Sequence, residues 1–269
     1  MELGAKLRES RNLWRYASES TDELEEQIGA FFDAQPYEIH VENISGQDLY
    51  RMRLGARIPR RFNRLTSKVA RSLHAALDLL VSEFADQKRL SKRAQTQFPF
   101  SPSGTEFEEF LHKHRAQLPK EALDAIRRSR PYPQGNKTFH ALLQISQTAP
   151  RKLLKAGAHA NVVLVHQQQK DAMAGPATLS APIWNEYRRE VTMLATDPNS
   201  QLSGQTQVRF FVGFRDIPAI NDIPIITVLK YQLQVADTLI SAFENSYQRS
   251  RPPLRGEPKS VDDIDSVSG

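Results

Sequence analysis

The sequence predicts an α+β protein: a helical part with a long central amphipathic helix, a mainly antiparallel sheet, and a long C-terminal helix. Three observations carry this. Apolar residues recur at helical spacing in several segments, most regularly from Phe62 to Phe84. Short β-branched and aromatic runs, separated by Gly, Pro and Asn-Ser clusters, crowd into the stretch after Gly157. Strands and helices also come in runs rather than in strict alternation, which disfavours a doubly wound parallel sheet.

Each element follows from its own pattern. Leu7 to Phe32 is predicted to be a helix because Leu7, Leu13, Tyr16, Leu24, Ile28, Phe31 and Phe32 recur at roughly helical spacing. Ser20 and Glu23 have capping-box spacing, which would break that helix in two, and Pro36 ends it. PYEIHVEN and DLYRMRLGA flank Ser45-Gly46, with Ile39, Val41 and Leu49 alternating against polar neighbours, as a β-hairpin would. Pro59 suits the first turn of a helix. Behind it Phe62, Leu65, Val69, Leu73, Ala76, Leu77, Leu80 and Phe84 form one apolar stripe.

A loop rich in Lys and Gln, closed by Phe98-Pro99-Phe100-Ser101-Pro102, comes next. Helices are expected near 105–117, 120–129 and 137–155, punctuated by Pro119, Pro131, Pro133 and Pro150. NVVLVHQ, ATLSAPIW, REVTMLAT and TQVRFFVGF read as strands; in the last, Val208, Phe210, Val212 and Phe214 face one way and Phe211 the other. A helix from about Ile225 to Tyr247 carries Leu229, Leu233, Ala236, Leu239, Ile240 and Phe243 on one side. The expected organisation is a single α+β domain over 1–249. Its helical part spans about 58–156, its sheet uses strands of about 36–56 and 160–215, and its terminal helix covers about 225–247. The N-terminal hairpin is expected to join the later strands in one sheet. Residues 250–269 lack apolar density and are expected to be a disordered tail.

Composition narrows the function classes. The absence of cysteine excludes disulfides and thiolate-ligated metals and fits a reducing compartment. No apolar run approaches the roughly 18 residues needed to cross a bilayer. The opening MELGAKLRESRNLWRY is polar and mixed in charge, unlike a secretory signal. A cytoplasmic protein without a membrane partner is expected, and no cofactor or metal is implied.

The net charge of +5 is modest, but it is not evenly spread. At about 100° per residue, Arg57, Arg60, Arg61, Arg64, Lys68 and Arg71 fall in one sector of roughly 100°, well away from the apolar stripe. Arg57 belongs to it if the helix starts early enough. Like charges so placed repel by a few tenths of a kcal/mol per neighbouring pair, and no acid interrupts the run before Asp78. Three readings follow: a solvated face paired with acids elsewhere, such as Glu106, Glu108 and Glu109; an anion-binding face; or a membrane-surface face, which the core-like opposite side without an interfacial Trp disfavours. Arginine offers phosphate bidentate contacts, so nucleic acid or nucleotide phosphates are the natural partners of the second.

Other constellations carry less. His112-Lys113-His114 points two imidazoles to different sides of a helix, which spoils joint metal ligation and puts both at the surface. His74 and Asp78, four apart, could orient an imidazole for acid–base work, and they are the weak catalytic candidates. His159 and His166 are expected at a strand edge or rim. Gly135-Asn136 after Arg130-Pro131-Tyr132-Pro133 is turn chemistry. No Walker pattern, dinucleotide glycine fingerprint, nucleophile elbow or HExxH motif occurs.

Leu73-His74-Ala75-Ala76-Leu77-Asp78-Leu79, then Thr96-Gln97-Phe98-Pro99, then Arg130-Pro131-Tyr132 follow one another in order. In that order the chain resembles a widespread set of uncharacterised bacterial proteins. Their helix reads roughly Leu-His-Asn-Leu-Arg-Ser-Ala-Leu-Asp-His and is followed by Thr-Gln-Phe-Pro, Gln-Pro-Tyr and Asp-Lys-His-Arg. The resemblance spans about Trp14 to Tyr247 and departs at the polar residues. The family's Arg and His match His74 and Leu79, and its Asp-Lys-His-Arg matches Thr148-Ala149-Pro150-Arg151, which keeps only the final Arg. The family helix is similar to nucleotide-binding helical domains, many of them ribonuclease-like with an Arg-x(4–6)-His motif, which this chain lacks at the matching place. By that analogy a catalytic family would have here an inactive or altered member.

The leading expectation is therefore a non-enzymatic binding protein whose basic helix engages a phosphate-bearing or acidic partner. A divergent ribonuclease-like enzyme using His74, Asp78 and Arg71 is one alternative. A structural or protein-interaction role, with an acidic protein or a second copy on the basic face, is the other.

Overall fold

The structure, a computed structural model, describes residues 4–87, 97–167, 183–196 and 202–249. It is an α+β fold. The loop over 88–96, the start of the expected strand ATLSAPIW and the tail over 250–269 lie outside the described residues.

Helix α1 (Ala5–Asp33) is unbroken. The capping box expected at Ser20 does not act, because Ser20 and Thr21 are buried and the Thr21 hydroxyl donates to the Ala17 carbonyl at 2.8 Å. Strands β1 (Tyr37–Ile44) and β2 (Gln47–Leu54) pair antiparallel from Tyr37↔Leu54 to Ile44↔Gln47. Ser45 and Gly46, at the turn, both carry positive φ, as a type I′ hairpin requires.

Helix α2 (Arg60–Gln87) is the central element. Its Phe62, Val69, Leu73, Ala76, Leu77 and Leu80 are buried against α1, α5 and α6. Leu65 is half-buried, and the side chain of Phe84 lies outside the described residues. Helices α3 (Gly104–His114) and α4 (Lys120–Ser129) follow, then α5 (Lys137–Gln147), whose first turn is capped by Asn136 accepting from the Phe139 N–H at 3.0 Å. The last helix, α6 (Ile225–Arg249), runs back through the core.

The helix expected over 137–155 ends at Gln147. Ala149 is extended, as a residue before proline prefers, and a single 3-10 turn at Pro150–Lys152 leads straight into β3 (Leu154–Gln167). The strand thus starts six residues before the expected position near 160, and the helical part is correspondingly shorter. Strands β4 (Ile183–Asn185), β5 (Glu190–Thr196) and β6 (Leu202–Phe214) complete the set. The N-terminal hairpin does join later strands, in the antiparallel order β1-β2-β5-β4. It does not join all of them: β3 and β6 form a second, two-stranded sheet. Met52, Leu54 and Val191 of the first sheet meet Ala156 and Phe210 of the second, with Phe31 and Phe32 of α1 alongside.

Phe211, on the opposite face of β6 from Phe210, is also buried. Its ring lies over Gly157, the residue paired with it in register, and packs edge-on to the exposed His159 at 4.5 Å. Among the described residues no helix is long and apolar enough to cross a membrane.

Two clasps fix the helices. Arg11 of α1 donates to Asp237 and to Glu244 at 2.7 Å on α6, and those carboxylates, Glu244 first, raise its pKa against the opposing effect of burial. Glu83 of α2 accepts the backbone N–H groups of Gly4 and Lys6.

Candidate anion-binding site

Helix α2 begins at Arg60, with the Phe62 N–H donating to the Pro59 carbonyl at 3.0 Å. Arg57 therefore lies outside the helix, in the extended segment leading to it, and is not part of the helical sector as such. Pro59 blocks an earlier start because the residue before a proline avoids the helical region.

Arg57, Arg60, Arg61, Arg64, Lys68 and Arg71 are all exposed. Among the described residues, none of the six reaches a carboxylate within ion-pair distance. Lys68 stands 4.1 Å over the Tyr16 ring, Arg61 lies 5.7 Å from the Phe62 ring, and the Arg71 Nε donates to the Ser146 carbonyl at 3.3 Å. The acids that a solvated, paired face would call on are elsewhere. Glu108 faces Arg127 at 3.8 Å, and the Glu106 N–H is held by the Ser103 cap at 3.3 Å.

A cleft of about 460 Å³ opens at the amino end of this face. Its walls come from the segment before α2, the first turn of α2, the 3-10 turn, the start of β3, the β4–β5 turn and the end of β6. Six cations line it: Arg57, Arg60, Arg151, Lys155, Arg189 and Arg215. One carboxylate answers them. Glu186 lies 3.3 Å from Arg215 and 3.8 Å from Lys155. Arg189 donates to the Ala56 carbonyl at 3.2 Å, so its charge is positioned without being neutralised. The first residue of β3 is tied to α2 by the Leu154 N–H donating to Asn63 Oδ1 at 3.1 Å. Trp184 and Tyr187 complete the wall. The α2 first turn contains no acidic residue, so its N–H dipoles add to the positive field.

A second cleft of about 410 Å³ between α3 and α4 is different in kind. It mixes Glu108 and Asp124 with His112, Arg115, Lys120 and Arg127, and Arg127 pairs with both acids. Both of its acids answer Arg127.

His74 and Asp78 line neither cleft. The His74 Nδ1 is 3.1 Å from the Ser146 hydroxyl and its Nε2 is 3.9 Å from Asp78 Oδ2, an arrangement that mimics a Ser-His-Asp triad. The Ser146 hydroxyl also donates to the Leu143 carbonyl at 2.8 Å, a local bond within α5, and Ser146 is buried. Asp78 accepts the Phe98 N–H at 2.8 Å, holding Phe98 against α2. These residues tie α2 to α5 and to the segment at Phe98.

The other histidines also take structural positions. His114 is buried rather than at the surface, stacked on Phe110 at 4.0 Å with its Nδ1 2.8 Å from the Phe110 carbonyl. Aromatic stacking at i−4 overrides the polar character that places it outside. His112 is exposed, and the side chain of His166 lies outside the described residues. Among the described residues no group of three His, Asp or Glu could hold a metal ion.

Sequence reasoning identified Arg57 and Arg60 but missed the remaining four cleft cations. They sit far apart in the chain with no shared motif, and only the antiparallel pairing of β3 with β6 and of β4 with β5 converges them. Compared with protein-family models, curated proteins and solved structures, the chain matches none.

Proposed function

We propose that the protein is a non-enzymatic binding protein for a phosphate-bearing partner, nucleic acid foremost, which it holds on the basic face of α2. The observation that carries this is the uncompensated charge. Several cations elsewhere are paired, as Arg11, Arg51 and Lys230 show. On α2 four arginines in a row of turns reach no carboxylate among the described residues. Mutual repulsion disfavours such a face unless an anion meets it, and arginine's planar fork suits phosphate oxygens.

The ribonuclease-like alternative lacks a comparable support, since His74 and Asp78 are engaged in holding α5 and the 98–100 segment and open onto no described cleft. Docking of an acidic protein would use the same charges and is separated from the proposal by experiment. Binding of fluorescently labelled RNA and single-stranded DNA should appear at low salt and weaken linearly in log–log form as salt rises. The triple substitution Arg60→Gln, Arg61→Gln, Arg64→Gln should lower affinity at least tenfold and flatten the salt dependence. Absence of binding at low salt, or binding untouched by the substitutions, refutes the reading.

A further inference from the structure

We propose that the cleft at the amino end of α2 seats the terminal phosphate of a single-stranded nucleic acid, with the end base stacked on Tyr187. This rests on the phosphate-binding reading of α2 and goes beyond it by naming which part of the polymer enters the cleft.

The cleft and the helix face present charge differently. Along α2, Arg61, Arg64, Lys68 and Arg71 are strung over about 15 Å of axis, a spacing suited to a backbone carrying one charge per phosphodiester. In the cleft, six cations from distant parts of the chain converge on about 460 Å³, with Glu186 as the one lining carboxylate. That carboxylate is already shared by Lys155 and Arg215. Arg57, Arg60 and Arg151 reach no carboxylate among the described residues. An internal phosphodiester has a single charge to offer such a concentration. A terminal monoester carries between about −1.5 and −2 at neutral pH and presents three acceptor oxygens. A convergent arginine cluster matches that end group in charge and in donor count.

The aromatic residues extend the match outward from the phosphate. Tyr187 is 97% exposed on the turn between β4 and β5 and lines the same cleft, so its ring is available to a base, whatever the base's identity. Trp184 lines the same wall and adds apolar surface beside it. Arg60 belongs to both surfaces. A strand whose end group sits at Arg57, Arg60 and Arg151 therefore continues onto Arg61, Arg64 and Lys68 as it leaves.

The test measures fluorescence anisotropy of one short single-stranded RNA with a 5′ phosphate, with a 3′ phosphate, or with neither, together with calorimetry of uridine monophosphate. One phosphorylated end should bind about tenfold or more tightly than the unphosphorylated strand. Arg151→Gln and Tyr187→Ala should remove that preference. Arg64→Gln, outside the cleft, should weaken all three strands alike. Equal affinity for all three, with Arg64→Gln still weakening them, overturns the cleft assignment and leaves the basic-face reading standing. Binding of uridine monophosphate that depends on Arg151, without binding of any strand, keeps a terminal-phosphate seat but overturns the polymer reading. No binding of any probe overturns both.

Discussion

The Glu83 carboxylate accepts the Gly4 backbone N–H at 2.7 Å and, through its second oxygen, the Lys6 N–H at 3.2 Å. One helix thus caps the next: α1 has no acidic residue in its first turn and no side-chain cap of its own. Glu83 is buried, so Glu83→Ala leaves the buried Gly4 N–H without its acceptor and removes the negative charge that complements the α1 dipole. A loss of about 2 kcal/mol in urea unfolding is expected, with Glu83→Gln recovering part of it through its remaining oxygen. Wild-type stability in the alanine variant would show that the cap contributes nothing.

Gly157 has no room for a side chain, because a Cβ there would overlap the Phe211 ring. Its φ is not at issue; the close approach is. Gly157→Ala should destabilise by about 1–3 kcal/mol through overpacking. Phe211→Leu made in the same chain should return part of that loss, a positive coupling in a double-mutant cycle. Additive losses would place the strain elsewhere.

Glu190 sits almost wholly buried between Arg51 at 3.2 Å, Arg53 at 3.3 Å and Arg188 at 3.7 Å, with His40 at 3.8 Å. It is the negative hub of the first sheet. Replacing it by Gln leaves these cations facing one another with only the exposed Glu42 to answer Arg51. A loss of about 3 kcal/mol or more is expected, visible as a lowered Tm. A change under about 1 kcal/mol would mean the cluster behaves as an exposed one.

His140 is held below its ordinary value of 6.5 by burial. In the unfolded chain the imidazole protonates first as pH falls through 6.5, so below that point the unfolded state binds more protons and the fold loses stability. Above 6.5 both states are neutral and the contribution is flat. Unfolding free energies between about pH 5 and pH 8 should show this decline in the wild type and a smaller one in His140→Gln. Identical pH profiles would exclude His140 as its source.

Much of the helical half was legible because its pattern is local. The α2 stripe from Phe62 to Leu80 requires nothing beyond periodicity, and the basic sector is its complement. The β3 boundary was not legible. Lys155, Ala156 and Ala158 read equally well as the end of a helix, and what makes them a strand is pairing with Phe210–Gly213, residues far along the chain. His114 misled for a similar reason, since its burial depends on Phe110 offering a face four residues back. The cleft is the extreme case. Arg151 follows a helix, Arg189 occupies a tight turn at φ 54, and Arg215 comes just after a strand; nothing local joins them.

The strand pairings, with the tie between Asn63 and Leu154, bring those guanidinium groups together whether or not a counter-ion is present. Folding must therefore work against their mutual repulsion on every occasion, and any polyanion that fits relieves part of that opposition. The melting temperature of the protein is for that reason an assay of its own ligand: a library of phosphorylated compounds can be ranked by how far each one raises it, before any binding partner has been identified.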